Sequence, residues 1–242
     1  MPTYLYCLRT DRADPPEGLT GVDGAMVRAV HTVGLSAWVS DVADGVTATV
    51  GGVTAHDAVC ATALAGGETP LPVRFGQTFP DDAAVVSELS ARESVLRPRL
   101  ARIAGCVELR LVMARDSVPA SEEDPIEGTR TRDAASVGGD MSPEADGPGT
   151  AFLKRLARRS RADLARTVEC EEVRDAVRSA ATSLIVGQQP CESARGISFF
   201  PVLVRRAEVD AFRSAVAELL RIKAIRLSVL GPFAPYSFAG DA

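Results

Sequence analysis

The chain has 242 residues, of which 46% are hydrophobic and 24% are charged, and its formal net charge is −5 at pH 7. It contains no apolar run near the roughly 20 residues that a membrane-spanning helix needs, and no signal peptide precedes the first predicted strand, so we expect a cytoplasmic protein that does not bind membranes. Its two histidines and the absence of a C-x-x-C motif argue against a zinc site.

The charge is unevenly distributed along the chain. Nine acidic and two basic residues lie in segment 116–150, which therefore carries a charge of −7, whereas the rest of the chain carries +2. The same segment is rich in proline and glycine and poor in apolar residues, a composition typical of disordered chains. We therefore predict a disordered acidic linker over 117–149 that separates an N-terminal domain, residues 1–116, from a C-terminal domain, residues 150–242.

Alternating and helical patterns define the elements of the N-terminal domain. In chain order we predict a strand over 3–9, a hairpin of strands over 25–33 and 35–41, a helix that begins at Thr54 and ends at Gly66, a strand over 71–78, a helix that follows Asp81 and a strand over 107–113. Pro98 should kink or break the second helix, because an internal proline removes a backbone hydrogen bond. This order predicts an α+β sandwich with the helices on one face of a mainly antiparallel sheet.

The C-terminal domain has a similar mixture of patterns. We predict one broken helix or two helices over 150–188, a strand over 197–204, an amphipathic helix over 209–220 and a last strand over 225–229. Pro201 cannot donate a hydrogen bond within a sheet, so we expect its strand to lie at an edge or to contain a bulge. These elements indicate a second, smaller and helix-rich α+β domain.

Three motifs spread from one end of the chain to the other carry a family resemblance. The first is Y-L-Y at residues 4–6, the second combines P-V-R-F-G at Pro72–Gly76 with G-C-V-E-L at Gly105–Leu109, and the third is G-P-F-A-P-Y-S-F at Gly231–Phe238. In these motifs the chain resembles the GvpF/GvpL family of gas vesicle accessory proteins. It departs from the family's usual ending, with Phe233 in place of a tryptophan and Ala234 in place of a proline.

The resemblance implies a fold and a function. For the N-terminal domain it implies a modified ferredoxin-like sheet-and-helix sandwich. For function it implies a non-enzymatic accessory protein of gas vesicle assembly, located in the cytoplasm and at the gas vesicle. The implied partner is the small, hydrophobic gas vesicle shell protein, which the chain would bind in a chaperone-like or nucleating role, with other gas vesicle accessory proteins as further candidates. No cofactor and no nucleic acid are implied.

The motifs contain seven candidate partner-binding residues, namely Arg74, Phe75, Gly76, Glu108, Pro232, Pro235 and Tyr236. Arg74 has two interpretations. As a charge in a buried strand it needs a partner, for which Glu108 is the candidate, and the pair would then hold the sheet together. Alternatively, Arg74 belongs to a partner-binding groove. Phe75 is expected in the core, and Gly76 leaves room for close approach of another backbone because it has no side chain.

Two other classes of function stay open. A small-ligand-binding or enzymatic ferredoxin-like protein would have a concave pocket with converging polar groups. A nucleic-acid binder would use the basic run over 154–166. No recognition motif accompanies that run, and aromatic residues make up only 5% of the chain, so we interpret it as a solvated helix face.

Cysteine and histidine patterns give little support to an enzyme. The five cysteines are odd in number and widely spaced, so we expect reduced thiols and not a disulfide framework; they are Cys7, Cys60, Cys106, Cys170 and Cys191. His56 and Cys60 share one helix face, which is compatible with a catalytic dyad. Cys60 lies among alanine, valine and leucine, however, and is interpreted as a small core residue. We predict no catalytic residues.

The linker prediction can be tested by limited proteolysis. Segment 117–148 holds too little apolar surface to offset the entropy lost on ordering, so a protease at low concentration should cut there first. Mass spectrometry of the first products locates the cut. Initial cleavage within 81–104 would contradict the predicted boundary.

Overall fold

A computed structural model describes residues 1–43, 46–115, 165, 167–194, 197–219 and 225–240. The predicted linker over 117–149 and, apart from position 165, the basic run over 154–166 fall outside the described residues, so the interpretations of both stay predictions. The described elements form a mixed α+β structure with two antiparallel sheets, and the predicted fold class is confirmed. No helix in the described part has the length and apolar content needed to cross a membrane.

The first sheet is built around a strand that is buried along its whole length. Its strands are β1 (Thr3–Arg9), β2 (Val27–His31), β3 (Ser36–Asp41), β4 (Leu71–Pro72) and β5 (Thr78–Phe79). β1 pairs antiparallel with β3 on one side and with the short strands β4 and β5 on the other. β2 and β3 form the expected hairpin.

Two helices cover this sheet on opposite faces. α1 (Val50–Ala65) packs in one cluster with Tyr4 and Tyr6, whereas α2 (Asp82–Ile103) packs in another cluster with Leu5. The prediction that both helices lie on one face is therefore wrong, and the implied ferredoxin-like sandwich is modified in this respect. The reason is that apolar side chains of a central strand point to both faces, so each face needs a cover.

The start of α1 differs from its predicted position. Thr49 is the N-cap, and its Oγ1 accepts a hydrogen bond of 3.0 Å from the Gly52 N–H. The predicted cap, Thr54, lies inside the helix, where its hydroxyl donates to the Val50 carbonyl over 2.9 Å. Two threonines of similar capping propensity precede the same apolar stripe, and the sequence does not rank them.

The expected break in α2 does not occur. Asp81 caps the helix as its acidic character suggests, accepting 2.8 Å from the Ala84 N–H. The helix then continues through Pro98 to Ile103. Leu96 and Leu100, on the two sides of the proline, are each only 2% exposed. This burial helps to offset the roughly 3 kcal/mol that an internal proline costs a helix.

The second sheet begins earlier in the chain than predicted. Its strands are β6 (Cys106–Arg115), β7 (Ile185–Gln188), β8 (Glu192–Ala194), β9 (Ile197–Arg205) and β10 (Ile225–Phe233). The order is β10–β6–β9–β7, and β8 also pairs with β9. Because β6 pairs with β9 and β10, the division between the sheets falls before residue 106 and not at residue 116. The division into independently folding domains stays a prediction.

The two faces of the second sheet have different covers. One face packs against α3, residues 167–180, and α4 (Val209–Val216), and the shared core includes Leu111 and Phe200. On the other face, Leu203 joins the cluster of α2. The second sheet therefore packs directly against α2 at one end. The first sheet together with α1 and α2 is called the first unit below.

Pro201 lies in a central strand, so of the two settings predicted for it, an edge or a bulge, the edge is wrong. β9 pairs with β6 on one side and with β7 and β8 on the other. The Pro201 carbonyl accepts from the Gln189 N–H over 3.1 Å, at the point where β7 has ended and β8 has not begun. The nitrogen of Pro201 faces the same gap, and its missing hydrogen breaks no ladder hydrogen bond there.

The prediction of five reduced thiols is wrong for two cysteines. Cys170 of α3 and Cys191 form a disulfide, with their Cα atoms 6.1 Å apart. Their separation of 21 residues in sequence gives no sign of this contact, which arises because α3 packs back against the strands that follow it. Cys7, Cys60 and Cys106 are free and buried.

A buried charge does occur in the first sheet, at Arg9. Its side chain is 1% exposed, and Nε and Nη2 donate to the two carboxylate oxygens of Asp11 over 2.7 and 2.6 Å. Nη1 donates to the Ala63 carbonyl of α1 over 2.8 Å. The hydrogen bond to Ala63 fastens the end of β1 to α1, and the hydrogen bonding of Asp11 to Arg9 holds the pKa of that carboxyl below its ordinary value of 3.8.

Asp11→Asn leaves the buried guanidinium of Arg9 without its carboxylate partner, so we expect it to reduce the free energy of unfolding at pH 7 by about 2 kcal/mol. The loss is smaller than for a fully buried pair because Asp11 is partly exposed. A lowered carboxyl pKa adds stability above its unfolded value, and this stability is lost as the pH falls through the folded value. The difference between the two proteins should therefore be constant above about pH 5 and shrink below about pH 4. Urea denaturation across this range measures it, and a difference independent of pH would contradict the pairing.

Candidate functional site

The P-V-R-F-G motif forms a bulge and not the continuous strand predicted over 71–78. β4 and β5 both pair with β1, and between them residues 74–76 leave the strand edge. The Val73 N–H donates to Tyr6 O over 2.9 Å, and the Leu5 N–H donates to Gln77 O over 3.0 Å, so both ends of the bulge stay on β1. Gly76 has a φ of +92°, which only glycine adopts readily.

A buried histidine holds this bulge in place. His56 of α1 is 3% exposed, and its Nε2 lies 3.0 Å from the Val73 carbonyl oxygen. Because a carbonyl only accepts, Nε2 carries the proton and Nδ1 accepts from the Tyr4 hydroxyl over 2.9 Å. The same hydroxyl accepts from the Gly76 N–H over 3.0 Å. Burial raises the pKa of Tyr4 to about 12, so its hydroxyl stays a donor.

This network presents Phe75 at the surface. The Phe75 ring lies 5.8 Å from the Tyr4 ring and 5.9 Å from the His56 ring, both in edge-to-face geometry. One side of Phe75 therefore packs against the core cluster of α1, while the residue itself is only half-buried. The prediction of a core phenylalanine holds for one side of the ring.

The expected buried pair of Arg74 and Glu108 is not what the structure contains. Arg74 is exposed on the bulge, whereas Glu108 is fully buried. Glu108 Oε1 accepts from Arg110 Nη2 over 2.9 Å and from Ser237 Oγ over 3.0 Å, and its Oε2 accepts from the Ser237 N–H over 2.8 Å. The bulge is the physical reason, because it lifts Arg74 away from the sheet.

The C-terminal motif returns to the first unit. Ala234 lies in the cluster of α1, and Phe238 lies in the cluster of α2. Pro235 is buried, Tyr236 is half-buried and Pro232 is exposed in β10. Together with the Ser237 hydrogen bonds to Glu108, these contacts place the tail between the two sheets.

A cleft of about 390 Å³ opens where these motifs meet. It is lined by Val53, Thr54, His56, Asp57, Phe75, Arg110, Phe233 and Tyr236. The P-V-R-F-G motif contributes Phe75, and the tail contributes Phe233 and Tyr236. Arg110 stands on the same face of β6 as Glu108. The structure thus brings Phe75 and Tyr236 together and leaves Arg74 and Pro232 outside the lining.

Sequence reasoning missed several lining residues. Val53 and Asp57 line the cleft but were not among the predicted site residues. Val53 was in addition placed outside α1, because the helix was predicted to begin at Thr54. Arg110 could have been found, because residues two apart on a strand share a face and Glu108 was a candidate.

The rim of the cleft exposes apolar side chains on the first turns of α1. Val50 is 87% exposed and Val53 is 46% exposed. The neighbouring Gly52 lies close to Phe75, since a Cβ at this glycine would stand 3.2 Å from the phenylalanine Cζ. The cleft and the first turns of α1 beside it are called the aromatic cleft below; Thr54, Asp57 and Arg110 are the polar exceptions in an otherwise aromatic and aliphatic lining.

The His56–Cys60 pair is not arranged as a catalytic dyad. Cys60 Sγ lies 3.8 Å from His56 Nε2, but that nitrogen already donates to Val73 O and cannot take the thiol proton. Cys60 instead donates to Tyr6 O over 3.5 Å. Among the residues that the structure describes, no group of three or more His, Cys, Asp or Glu is placed to hold a metal ion.

Comparison with known proteins identifies the family. Residues 2–240 match the family model described as "Gas vesicle synthesis protein GvpL/GvpF". This chain belongs to the GvpL/GvpF family. It is 32% identical to gas vesicle protein F of a Streptomyces species, covering 98% of this chain and 99% of the relative. It is 28% identical to gas vesicle protein L2 of Halobacterium salinarum, covering 98% and 91%.

Solved structures of the family share the fold. The chain is similar to GvpF from Anabaena sp. PCC7120, with a TM-score of 0.68, 20% identity and coverage of 98% of this chain and 95% of that one. It is equally similar to GvpF from Microcystis aeruginosa, with a TM-score of 0.68, 17% identity and coverage of 98% of each chain. The resemblance drawn from the three motifs is therefore confirmed, and membership of the family is consistent with an accessory role in gas vesicles.

We expect Glu108→Ala to lower the free energy of unfolding of the GvpL/GvpF protein by about 3 kcal/mol, because it leaves Arg110 and the Ser237 N–H without their buried partner. Glu93→Ala is the matched control. It breaks the Glu93–Arg97 pair on the surface of α2, where the side chains are 33% and 53% exposed, and the cost should stay below about 1 kcal/mol. Chemical denaturation of the full chain measures both. Equal midpoints for the two variants would contradict the role of Glu108.

Proposed function

We propose that this protein binds the gas vesicle shell protein at the aromatic cleft and acts as a chaperone or nucleating factor during assembly. The observation that carries the proposal is the convergence of the family motifs on one cleft with an apolar rim. Phe75 and Tyr236 come from motifs far apart in sequence, and both line it. Val50 and Val53 extend the apolar surface into solvent.

The chemistry of the partner supports this assignment. A shell subunit that forms a gas-filled protein wall has apolar surface that stays exposed until the subunit is incorporated. A large exposed apolar surface leads to aggregation unless another protein covers it. An aromatic cleft with an aliphatic rim offers such a cover and requires neither nucleotide nor metal.

The proposal includes the remaining functional predictions. We infer that the protein works without catalysis and without a cofactor, in the cytoplasm and at the gas vesicle, and that other gas vesicle accessory proteins are further partners. The polar atoms of His56 in the cleft wall are engaged within the core network, which gives a small-ligand enzyme no free base at this position. The nucleic-acid alternative rests on the basic run over 154–166, which lies outside the described residues apart from position 165.

Capture of co-expressed shell protein by the tagged full chain tests the proposal. Val53→Asp should reduce capture at least about tenfold, because it places a charge on the apolar rim. The variant should still fold, since an acidic residue in the first turns of a helix is favourable. Wild-type capture should also persist in about 1 M salt, because apolar contacts are not screened.

Val33→Asp is the matched control. Val33 is 97% exposed in the turn between β2 and β3, so the same substitution changes the same residue type outside the cleft. Capture by this variant should equal that of the wild type. If Val53→Asp captures as much shell protein as Val33→Asp, the aromatic cleft is not the binding surface.

A further inference from the structure

One face of the second sheet is apolar but only partly covered. The side chains that pack against α3 and α4 belong to the opposite face, at positions such as Leu111 and Phe200. Successive residues of a strand point to opposite faces, and directly paired residues share a face. The register of β6 with β9 and β10 therefore places four apolar residues on the partly covered face, called the open strip below; they are Val112, Ile197, Phe199 and Leu230.

The open strip remains accessible to solvent. Ile197 and Leu230 are each 46% exposed, and Val112 and Phe199 are half-buried. A face of an antiparallel sheet that stays in water normally carries polar residues that alternate with those of the core. A contiguous exposed apolar surface instead marks an interaction site. The open strip therefore indicates a partner.

Arg110 joins the open strip to the aromatic cleft. It lines the cleft, and its guanidinium carbon lies 5.4 Å from the Phe199 ring and 5.7 Å from the Phe233 ring. Its charge is balanced by Glu108, whose Oε1 lies 2.9 Å from Arg110 Nη2. Phe233 belongs to the cleft and Phe199 to the open strip. One guanidinium in contact with both rings thus connects the two surfaces without adding net charge.

The combined surface has the dimensions of a helix. Residues two apart on a strand lie about 6.7 Å apart along it, and three such steps lead from Ile197 to Leu203, the level of Phe233. The surface is therefore about 20 Å long, the length of about 13 helical residues. The three strands β9, β6 and β10 make it about 10 Å wide, which is the diameter of a helix.

A sheet face favours a helix over an extended segment. The backbone groups of a sheet are hydrogen-bonded between its strands, so its face offers none to the peptide groups of a partner. An extended segment buried on this face would leave its own N–H and C=O groups unpaired, whereas a helix satisfies them internally. The opposite face of the same sheet is covered in this way by α3 and α4.

Exposed carboxylates border the combined surface at two places. Glu192 of β8 is paired with Phe199 and is exposed beside the open strip. Asp57 is exposed in the lining of the cleft. Because interfaces juxtapose opposite charges, basic residues on the partner fit these two positions. Between them the apolar surface disfavours any charge on the part of the partner that contacts it.

We propose that the open strip and the aromatic cleft together bind one amphipathic α-helix, about 13 residues long, with an uncharged apolar face and with basic residues beside that face. The inference rests on the proposed function, because the helix is taken to belong to the shell protein. It adds the shape and the charge pattern of the bound segment, and it extends the binding surface from the first unit onto the second sheet.

The test uses capped peptides of about 18 residues that tile the shell protein, long enough to contain the helix and both of its ends. Fluorescence anisotropy measures their binding to the full chain, and far-UV circular dichroism follows their structure. The tightest peptide should gain helical signal on binding. A proline at its centre should weaken binding at least about tenfold, because an internal proline breaks a helix.

Ile197→Asp tests the open strip, with Val186→Asp as the matched control. The two residues are 46% and 44% exposed in strands of the same sheet, but Val186 lies in β7, which pairs with the other end of β9. Ile197→Asp should weaken the tightest peptide at least about tenfold, because it places a charge on the apolar surface. Val186→Asp should leave the affinity unchanged. Ile197→Thr keeps the β-branched shape of the strand residue and should weaken binding in the same direction.

Glu192→Lys tests the charge pattern. It should weaken a peptide with basic flanks about threefold, the size expected for an exposed ion pair. The same variant should strengthen the binding of that peptide once its basic flanking residues are replaced by Glu. Wild-type protein should show the reverse preference.

Three outcomes would overturn the inference. They are tight binding without a gain of helix, equal affinity for Ile197→Asp and Val186→Asp, and a preference of the wild type for acidic flanks. Capture of co-expressed shell protein separates this inference from the proposed function. If Val53→Asp lowers capture and Ile197→Asp does not, the cleft binds the shell protein and the open strip has no part in it. If neither variant lowers capture, both proposals fall.

Discussion

The buried carboxylate of Glu108 is the interaction on which the rest of this structure depends. It lies on β6 and accepts hydrogen bonds from Arg110 and from both the N–H and the hydroxyl of Ser237. A buried charge is tolerated only when its hydrogen-bonding capacity is filled, so these partners cannot leave independently. One side chain thereby fixes the tail against the second sheet and the guanidinium in the cleft wall.

Much of the fold follows from local patterns. The buried alternation of β1, the hairpin of β2 and β3, and the apolar stripe of α2 each arise from residues close in sequence. Two of the errors concern contacts between distant residues. Pro201 is accepted in a central strand only because β7 and β8 leave a gap beside it, and the Cys170–Cys191 disulfide depends on how α3 packs. Neither condition can be read from the residues themselves.

The candidate site shows the same division. The motifs located Phe75 and Tyr236, both of which line the cleft. Their spacing gave no information on which motif residues meet, because a bulge turns Arg74 outward and leaves β1 paired above and below it. The role of His56 was also hidden. A lone histidine in an apolar helix becomes informative only when Tyr4 and the Val73 carbonyl are seen at its two nitrogens.

The path of the chain between the sheets has a consequence for its synthesis. The first unit is translated first, yet Ala234 and Phe238, near the end of the chain, complete the clusters of α1 and α2. A ribosome that has finished α2 has therefore produced a unit with two incomplete cores and no Tyr236 in its cleft. The aromatic cleft is complete only after the last strand and the tail that follows it have left the ribosome, so a nascent or prematurely terminated chain lacks the surface that we propose binds a partner.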